Sequence, residues 1–130
     1  MRGSHDVVFL CLKLNRLYGV VMKLAIIGSR NIRNIDIFPH IPSGVSLIIS
    51  GGAKGIDTLA AAYAKKHDVK IVEILPDYKK HKKGAPIKRN SIIVDLADMI
   101  LAFWDGKSKG TEYVINLCKK RGKECRIILI

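Results

Sequence analysis

A chain of 130 residues with 23 Lys and Arg against 11 Asp and Glu carries a formal charge of +12. That length suits one ordinary domain rather than a catalytic domain plus a separate binding domain, and an apolar share of 48% excludes a disordered basic tail, which could not leave so much Val, Ile and Leu in water. The surplus charge therefore sits on a folded surface, where its field favours anionic partners: nucleotides, nucleic acid or an acidic membrane.

Residues 1–21 read differently from the rest. The opening Met1-Arg2-Gly3-Ser4-His5 looks like a tag-derived start, and Met22 opens a natural-looking beginning, so the working domain is expected over 22–130. Val7 to Leu12 is either an added strand or a helix packed on the core. It is stopped by Lys13 and, like Leu17 to Met22 before Lys23, falls far short of the roughly 18 apolar residues that span a bilayer. The basic start with its short apolar centre lacks a small-residue cleavage pattern, so secretion is not expected. Cys11, Cys118 and Cys125 form an odd set with no CxxC and no His at ligand spacing, which supports neither a disulfide framework nor zinc and suits a reducing cytoplasm.

From Met22 onward, short apolar runs alternate with amphipathic stretches. Leu24 to Ile27, Val45 to Ile49, Val69 to Leu75, Met99 to Phe103 and Arg126 to Ile130 are rich in Ile, Val and Leu and read as buried strands. Asn31 to Ser43, broken by Pro39 and Pro42, reads as a short helix and a loop. Gly55 to His67 sets Ile56, Leu59, Ala60, Tyr63 and Ala64 on one helix face, closed by Lys65 and Lys66 on the favourable side of the dipole. Lys79 to Arg89 is a lysine-rich run that reads as a solvated loop. Lys88 to Ala97 repeats the helical pattern with Ile92, Ile93, Leu96 and Ala97, and Thr111 to Arg121 does so with Val114, Leu117 and Cys118, Thr111 as N-cap and Gly122 as stop. Strand and helix alternating in this way imply an α/β, Rossmann-like three-layer sandwich with a mainly parallel sheet of about five strands, because parallel neighbours need crossover helices.

In such sheets ligands bind outside the carboxyl ends of the strands. Three small loops fall there: Gly28-Ser29-Arg30, then Ser50-Gly51-Gly52-Ala53-Lys54-Gly55-Ile56-Asp57, then Trp104-Asp105-Gly106-Lys107-Ser108-Lys109-Gly110-Thr111. The second carries the strongest signal. Its glycines turn the backbone tightly and let a ligand approach, and the following helix offers N–H groups and a partial positive charge, which suits a phosphate. It is neither a Walker A loop nor the GxGxxG fingerprint, and glycine serving geometry alone is the competing reading. In the third loop Ser108, Gly110 and Thr111 can hold a second anionic or ribose group, with Lys107 beside them, and Trp104 either stacks on a base or caps the core. Arg30 and Arg89, the latter beside Asn90 at an expected helix start, are candidates for bidentate phosphate or carboxylate contacts, with solvated surface charge as the competing reading.

The basic run of Lys79, Lys80, Lys82, Lys83, Lys88 and Arg89 reads either as solvated charge or as a funnel for a polyanion. Candidates for catalysis are thin: Asp105, Glu112 and Arg89 stand nearest the loops, no Ser sits in a nucleophile elbow, and no His, Asp or Glu cluster has metal spacing. Asp57, in a first helical turn, is most simply a partner of the dipole.

In this order the three loops, with Lys88-Arg89-Asn90 between the second and third, resemble the SLOG superfamily, and within it the small YspA/YpsA-like branch, over Met22 to Ile130. The resemblance implies a Rossmann-like domain that binds a nucleotide or nucleotide-derived ligand across its Gly-rich loops. The DNA-processing protein A family, which binds single-stranded DNA, is similar at Ser50 to Asp57 and at Arg89-Asn90. The Lonely Guy family, which cleaves nucleoside monophosphates, uses an Arg and the Glu of a Gly-Thr-x-x-Glu motif; here Gly110-Thr111 is followed at once by Glu112 and the motif's Glu position holds Val114, which argues against that reaction. The expected partners are thus a nucleotide-type ligand or single-stranded DNA, with no membrane, no metal and no other cofactor, and with room for a homo-oligomer.

Overall fold

In the computed structural model of the chain, residues 10, 12, 13, 16, 22–32, 34–52 and 55–130 are described. Most of the expected extension, Val7 to Val8 and Cys11 included, and the loop residues Ala53 and Lys54 lie outside them. Five parallel strands form one sheet: β1 (Met22–Gly28), β2 (Val45–Ser50), β3 (Lys70–Glu73), β4 (Met99–Trp104) and β5 (Cys125–Leu129), in the order β3-β2-β1-β4-β5. From Met22 onward the α-helices among the described residues are α1 (Ile56–Lys66), α2 (Tyr78–His81), α3 (Ala85–Leu96) and α4 (Lys109–Arg121); Leu10, Leu12, Lys13 and Arg16, before Met22, are also helical. The α/β, Rossmann-like architecture expected from the alternation is the one found.

The sheet is buried on both faces because its central strands are apolar over consecutive positions, residues 24–27, 47–49 and 99–104. Leu24, Ala25 and Ile26 of β1, and Ile100, Leu101, Ala102 and Phe103 of β4, are all fully buried, as strands covered by crossover helices must be. On one face Ala25, Ile49, Ile100 and Ala102 pack against Ile93 and Val94 of α3 and Val114, Ile115 and Cys118 of α4. On the other, Leu24, Ile26, Ile48, Leu101 and Phe103 pack against Ile56, Ala60 and Ala64 of α1. Fully burying an Ile such as Ile56 is worth roughly 2–3 kcal/mol, and the small Ala60 and Ala64 let α1 lie close to the sheet.

Several expectations need correction. Val69 to Leu75 and Arg126 to Ile130 were expected to be buried strands, but β3 and β5 are the sheet's two edges and remain partly exposed, with Leu75 and Leu129 among the exposed large apolar residues. Edge strands have only one neighbour, so apolar composition alone cannot bury them. Among the described residues of Asn31 to Ser43, the short helix expected there is a 3-10 turn at Phe38–His40, with Pro39 in it. The lysine run is not a plain loop: α2 opens at Asp77, whose carboxylate accepts from Lys80 N–H at 3.0 Å, and a 3-10 turn over Lys82–Gly84 leads directly into α3. Since α3 starts at Ala85, with Pro86 in its first turn where a missing N–H costs nothing, Arg89 stands inside the helix rather than at its start. Finally, Ser108 rather than Thr111 caps α4, and the helix ends at Gly122, whose φ of 65° forms the left-handed stop.

Candidate functional site

The strand order reverses between β1 and β4: the chain runs outward from β1 through β2 to β3, then returns to place β4 on the other side of β1. Loops leaving two such strands diverge to opposite faces and leave a crevice at their carboxyl ends. A cleft of about 660 Å³ opens there, within the range of ligand pockets. Gly28, Ser29, Arg30 and Asn31 from the end of β1, Gly51 and Asp57 from the β2–α1 region, Arg89 and Asn90 from α3, and Asp105, Lys107, Ser108, Gly110 and Thr111 from the β4–α4 region line it. Thirteen of the residues singled out in the sequence or adjacent to them thus surround one space. Its remaining wall is apolar: Ile27, Pro86, Ile93 and Val114.

The β1 loop is tied to the β4 loop. Ser29 N–H donates to the Phe103 carbonyl at 3.1 Å, and Asp105 N–H donates to Ser29 Oγ at 3.4 Å, so a buried serine holds the two lips of the crevice together. Asp105 in turn folds its own loop. Its Oδ1 accepts from Lys107 N–H at 2.9 Å and from Ser108 N–H at 2.8 Å. These backbone donors, Ser108 first and then Lys107, hold the carboxyl below its usual range, with Ser29 and Asn31 adding to the effect. A carboxylate stabilised in this way is a weak proton acceptor, and its geometry is that of a loop organiser. Ser108 then caps α4, its Oγ accepting from Thr111 N–H at 3.5 Å and lying 3.3 Å from Thr111 Oγ1.

Arg89 is the other organiser. It is only 7% exposed, and its Nη1 donates to the Gly51 carbonyl at 2.7 Å and to the Ile74 carbonyl at 3.4 Å, while Nε donates to Asn90 Oδ1 at 2.8 Å. One guanidinium thereby gathers the chain ends leaving β2 and β3. Burial pushes its pKa down and the Asp57 carboxylate pulls it back up. Its place in the cleft wall is real, but much of its donor capacity is already spent on backbone carbonyls. Arg30 and Lys107 are the exposed cations of the rim.

The remaining sequence candidates fall outside the cleft lining. Ser50 is buried and its Oγ accepts from Gly52 N–H at 3.2 Å, so it shapes the loop from beneath. A Cβ on Gly52 would meet the Glu73 carboxylate and the Leu75 side chain, and one on Gly55 would come within 2.5 Å of the Arg30 carbonyl oxygen. Trp104 turns into the core formed with α3 and α4 and donates its indole N–H to the Ser108 carbonyl at 3.0 Å; it caps the core rather than facing the cleft. Glu112 also lies outside the lining. The sequence reading missed Ile27, Asn31, Pro86, Ile93 and Val114. Four of these are apolar and were indistinguishable from core positions, because the cleft floor is the end of that same core; Asn31 directly follows the recognised loop and carried the one available signal. Among the described residues no group of His, Cys, Asp or Glu is arranged to hold a metal ion, and no helix is long and apolar enough to cross a membrane.

Comparison with known proteins agrees with this architecture. Residues 22–81 match the family model described as the YspA, cpYpsA-related SLOG family. The X-ray structure of DNA processing protein A (DprA) from Streptococcus pneumoniae superposes with a TM-score of 0.69 at 19% identity, over 82% of this chain and 50% of that one. At that identity the likeness concerns the fold, and the chain spans half the length of that protein. No curated protein sequence matches the chain.

Proposed function

We propose that this chain, which carries the SLOG-family segment over residues 22–81, binds a nucleotide or nucleotide-derived ligand in the cleft between β1 and β4. The observation that carries the reading is the division of the cleft into an apolar floor of Ile27, Pro86, Ile93 and Val114 and a polar rim that includes Arg30, Ser29, Lys107, Ser108 and Thr111. A ligand with a flat, weakly polar base and an anionic end satisfies both halves. The base lies on the floor, and the phosphate meets Arg30 and Lys107 near the capped start of α4, where helix N–H groups favour an anion. Binding, rather than hydrolysis, is what the residues support. Val114 stands in the cleft wall at the position where the Lonely Guy motif has its glutamate, and the nearby Asp105 carboxylate is already committed to Lys107 and Ser108 N–H.

The test is a thermal-shift and calorimetric panel of nucleoside mono-, di- and triphosphates and their sugar-linked derivatives. At a hundredfold excess over Kd a true ligand stabilises the fold by about 2.7 kcal/mol, a shift that Arg30→Ala with Lys107→Ala abolishes without lowering the unliganded melting temperature. A flat response across the panel overturns the reading. Arg89→Ala is a poorer probe, because Arg89 also holds the Gly51 and Ile74 carbonyls.

A second reading rests on a separate observation. Lys79, Lys80, Lys82 and Lys83 are exposed on α2 and the turn after it, next to the exposed ring of Tyr78. Cations interleaved with an aromatic suit single-stranded DNA, and the solved structure of similar fold is of a DNA-processing protein. This reading predicts oligonucleotide affinity that falls steeply with salt and is lost on reversing those lysines to Glu. Negligible binding at low salt refutes it.

A further inference from the structure

The two edges of the sheet are built differently. At the β3 edge, Lys70 and Glu73 stand exposed at the two ends of a four-residue strand, and charges on a short edge strand discourage pairing with another chain. At the β5 edge, the backbone alternation can be read from its bonds to β4. Ile100 N–H donates to the Glu124 carbonyl at 2.9 Å and Ile130 N–H donates to the Trp104 carbonyl at 3.0 Å, with Ile100 opposite Cys125 and Trp104 opposite Leu129. Even-numbered residues therefore turn their N–H and C=O groups toward β4, and those of Cys125, Ile127 and Leu129 point away from the sheet. The side chains of these three share one face. Cys125 reaches the core beside α4, but Ile127 is 41% exposed, Leu129 69% and the following Ile130 47%.

We infer that the β5 edge is a self-association surface, on which β5 of a second copy pairs antiparallel to extend the two sheets into one. A two-fold axis through Ile127 sets that residue against itself and Leu129 against Cys125 of the second copy, so an apolar row meets an apolar row. All three outward-facing residues then find backbone partners, about six hydrogen bonds across the junction. Electrostatics oppose association less at this edge than elsewhere on a chain of net charge +12, since three of the cations around it are engaged, while Lys119 stands exposed near Cys125. Arg126 pairs with Glu124 at 3.4 Å, Arg121 pairs with Asp95, and the Lys123 ammonium donates to the Ala97 carbonyl at the end of α3. Two copies approaching here meet less like charge, chiefly that of Lys119, than they would at the exposed Lys79, Lys80, Lys82 and Lys83 of α2 and the turn after it, which repel their own kind.

Sedimentation velocity on the full chain across a wide concentration range tests this. The wild-type chain forms a dimer, and Leu129→Lys and Ile127→Lys each weaken it about tenfold or more by placing a charge against an apolar row on both copies. Leu129→Lys is the safer variant because that side chain is mostly in solvent, and its cooperative melting matches the wild type. Register is tested by Ile127→Cys. Opposed residues of a hydrogen-bonded antiparallel pair have Cα atoms about 5.5 Å apart, within disulfide range, so mild oxidation joins position 127 of the two copies. The native Cys125, lying opposite Leu129, forms no such link to itself. A chain that is monomeric throughout overturns the inference, as does a dimer indifferent to both lysine variants or an oxidised Ile127→Cys chain with no link through position 127. A monomer that instead captures an added strand peptide assigns the edge to a different protein and overturns it equally.

Discussion

The β2–α1 and β4–α4 loops both lead from a strand end into a helix and both are rich in glycine, yet their glycines serve opposite ends. In the β2–α1 loop every described glycine faces protein. A Cβ on Gly51 would come within 2.5 Å of Arg89 Nη1, one on Gly52 would meet Glu73, and one on Gly55 would meet the Ser29 and Arg30 carbonyl oxygens. In the β4–α4 loop nothing lies within 4 Å of a Cβ built on Gly106 or Gly110, and the loop's shape comes from the left-handed φ of 79° at Gly106, the Asp105 carboxylate and the Ser108 cap. Glycine density in the first loop thus reports a tight junction among three loops and a buried arginine. The more open of the two loops is held by side-chain hydrogen bonds, and its backbone is the more accessible to a ligand.

Breaking the first loop has the largest expected effect. Gly55 combines a φ of 77° with backbone oxygens that cannot move aside, so Gly55→Ala costs about 3 kcal/mol in chemical denaturation, from backbone strain and overpacking together. Arg89→Met comes next. It leaves the Gly51 carbonyl, and the more distant Ile74 carbonyl, without their guanidinium donor, a loss of about 2 kcal/mol for buried acceptors deprived of a donor. The two sites are coupled in a way that sharpens the comparison. Gly51→Ala is harmful chiefly because it strikes the guanidinium, so in an Arg89→Met background its additional cost shrinks. Additive costs in that double-mutant cycle contradict the account of why Gly51 is glycine.

The same contrast explains what the sequence revealed and what it concealed. Alternating apolar runs were enough for the sheet, because the runs over residues 24–27, 47–49 and 99–103 are buried on both faces and have no polar side to blur the pattern. The edges were misjudged since Ile127 and Leu129 are as apolar as Ile26; exposure there depends on strand order, which local composition does not encode. The start of α3 was missed because Ala85, Pro86, Ile87 and Lys88 carry no apolar period of their own, the helix being entered through Pro86 in its first turn. Arg89 and Asp105 were visible as charged residues near the loops, but their bonds run to the backbone of Gly51, Ile74, Lys107 and Ser108, and only the folded chain brings Gly51 and Ile74 to Arg89.

Within the β4–α4 loop, Asp105→Asn tests whether the carboxylate charge sets the turn. The folded-state pKa of Asp105 lies below its ordinary value, chiefly through the Ser108 and Lys107 N–H donors. A depressed carboxyl pKa contributes stability that is fully present above the unfolded-state value, near 3.9, and is lost as pH falls through the folded-state value. The Asn variant is therefore less stable than wild type at neutral pH, and the gap closes as pH drops below about 4. A gap that stays constant from pH 7 into strong acid denies the charge any part in the turn.

The smallest expected effect has the opposite sign. Gly110 sits in the first turn of α4 with open space where a side chain would go and no positive φ, so nothing in the folded state requires glycine. Gly110→Ala removes only the excess freedom of the unfolded chain and adds a better helix former, raising stability by about 0.5 kcal/mol. Since Gly110 lines the cleft, the same methyl group projects into the space assigned to the ligand. A variant that melts slightly higher yet loses the stabilisation given by its nucleotide separates the two positions cleanly: Gly55 is kept for the fold, Gly110 for what the fold holds. A stabilised variant with undiminished binding removes Gly110 from the ligand contact and shifts the phosphate toward Arg30 and the β1 loop.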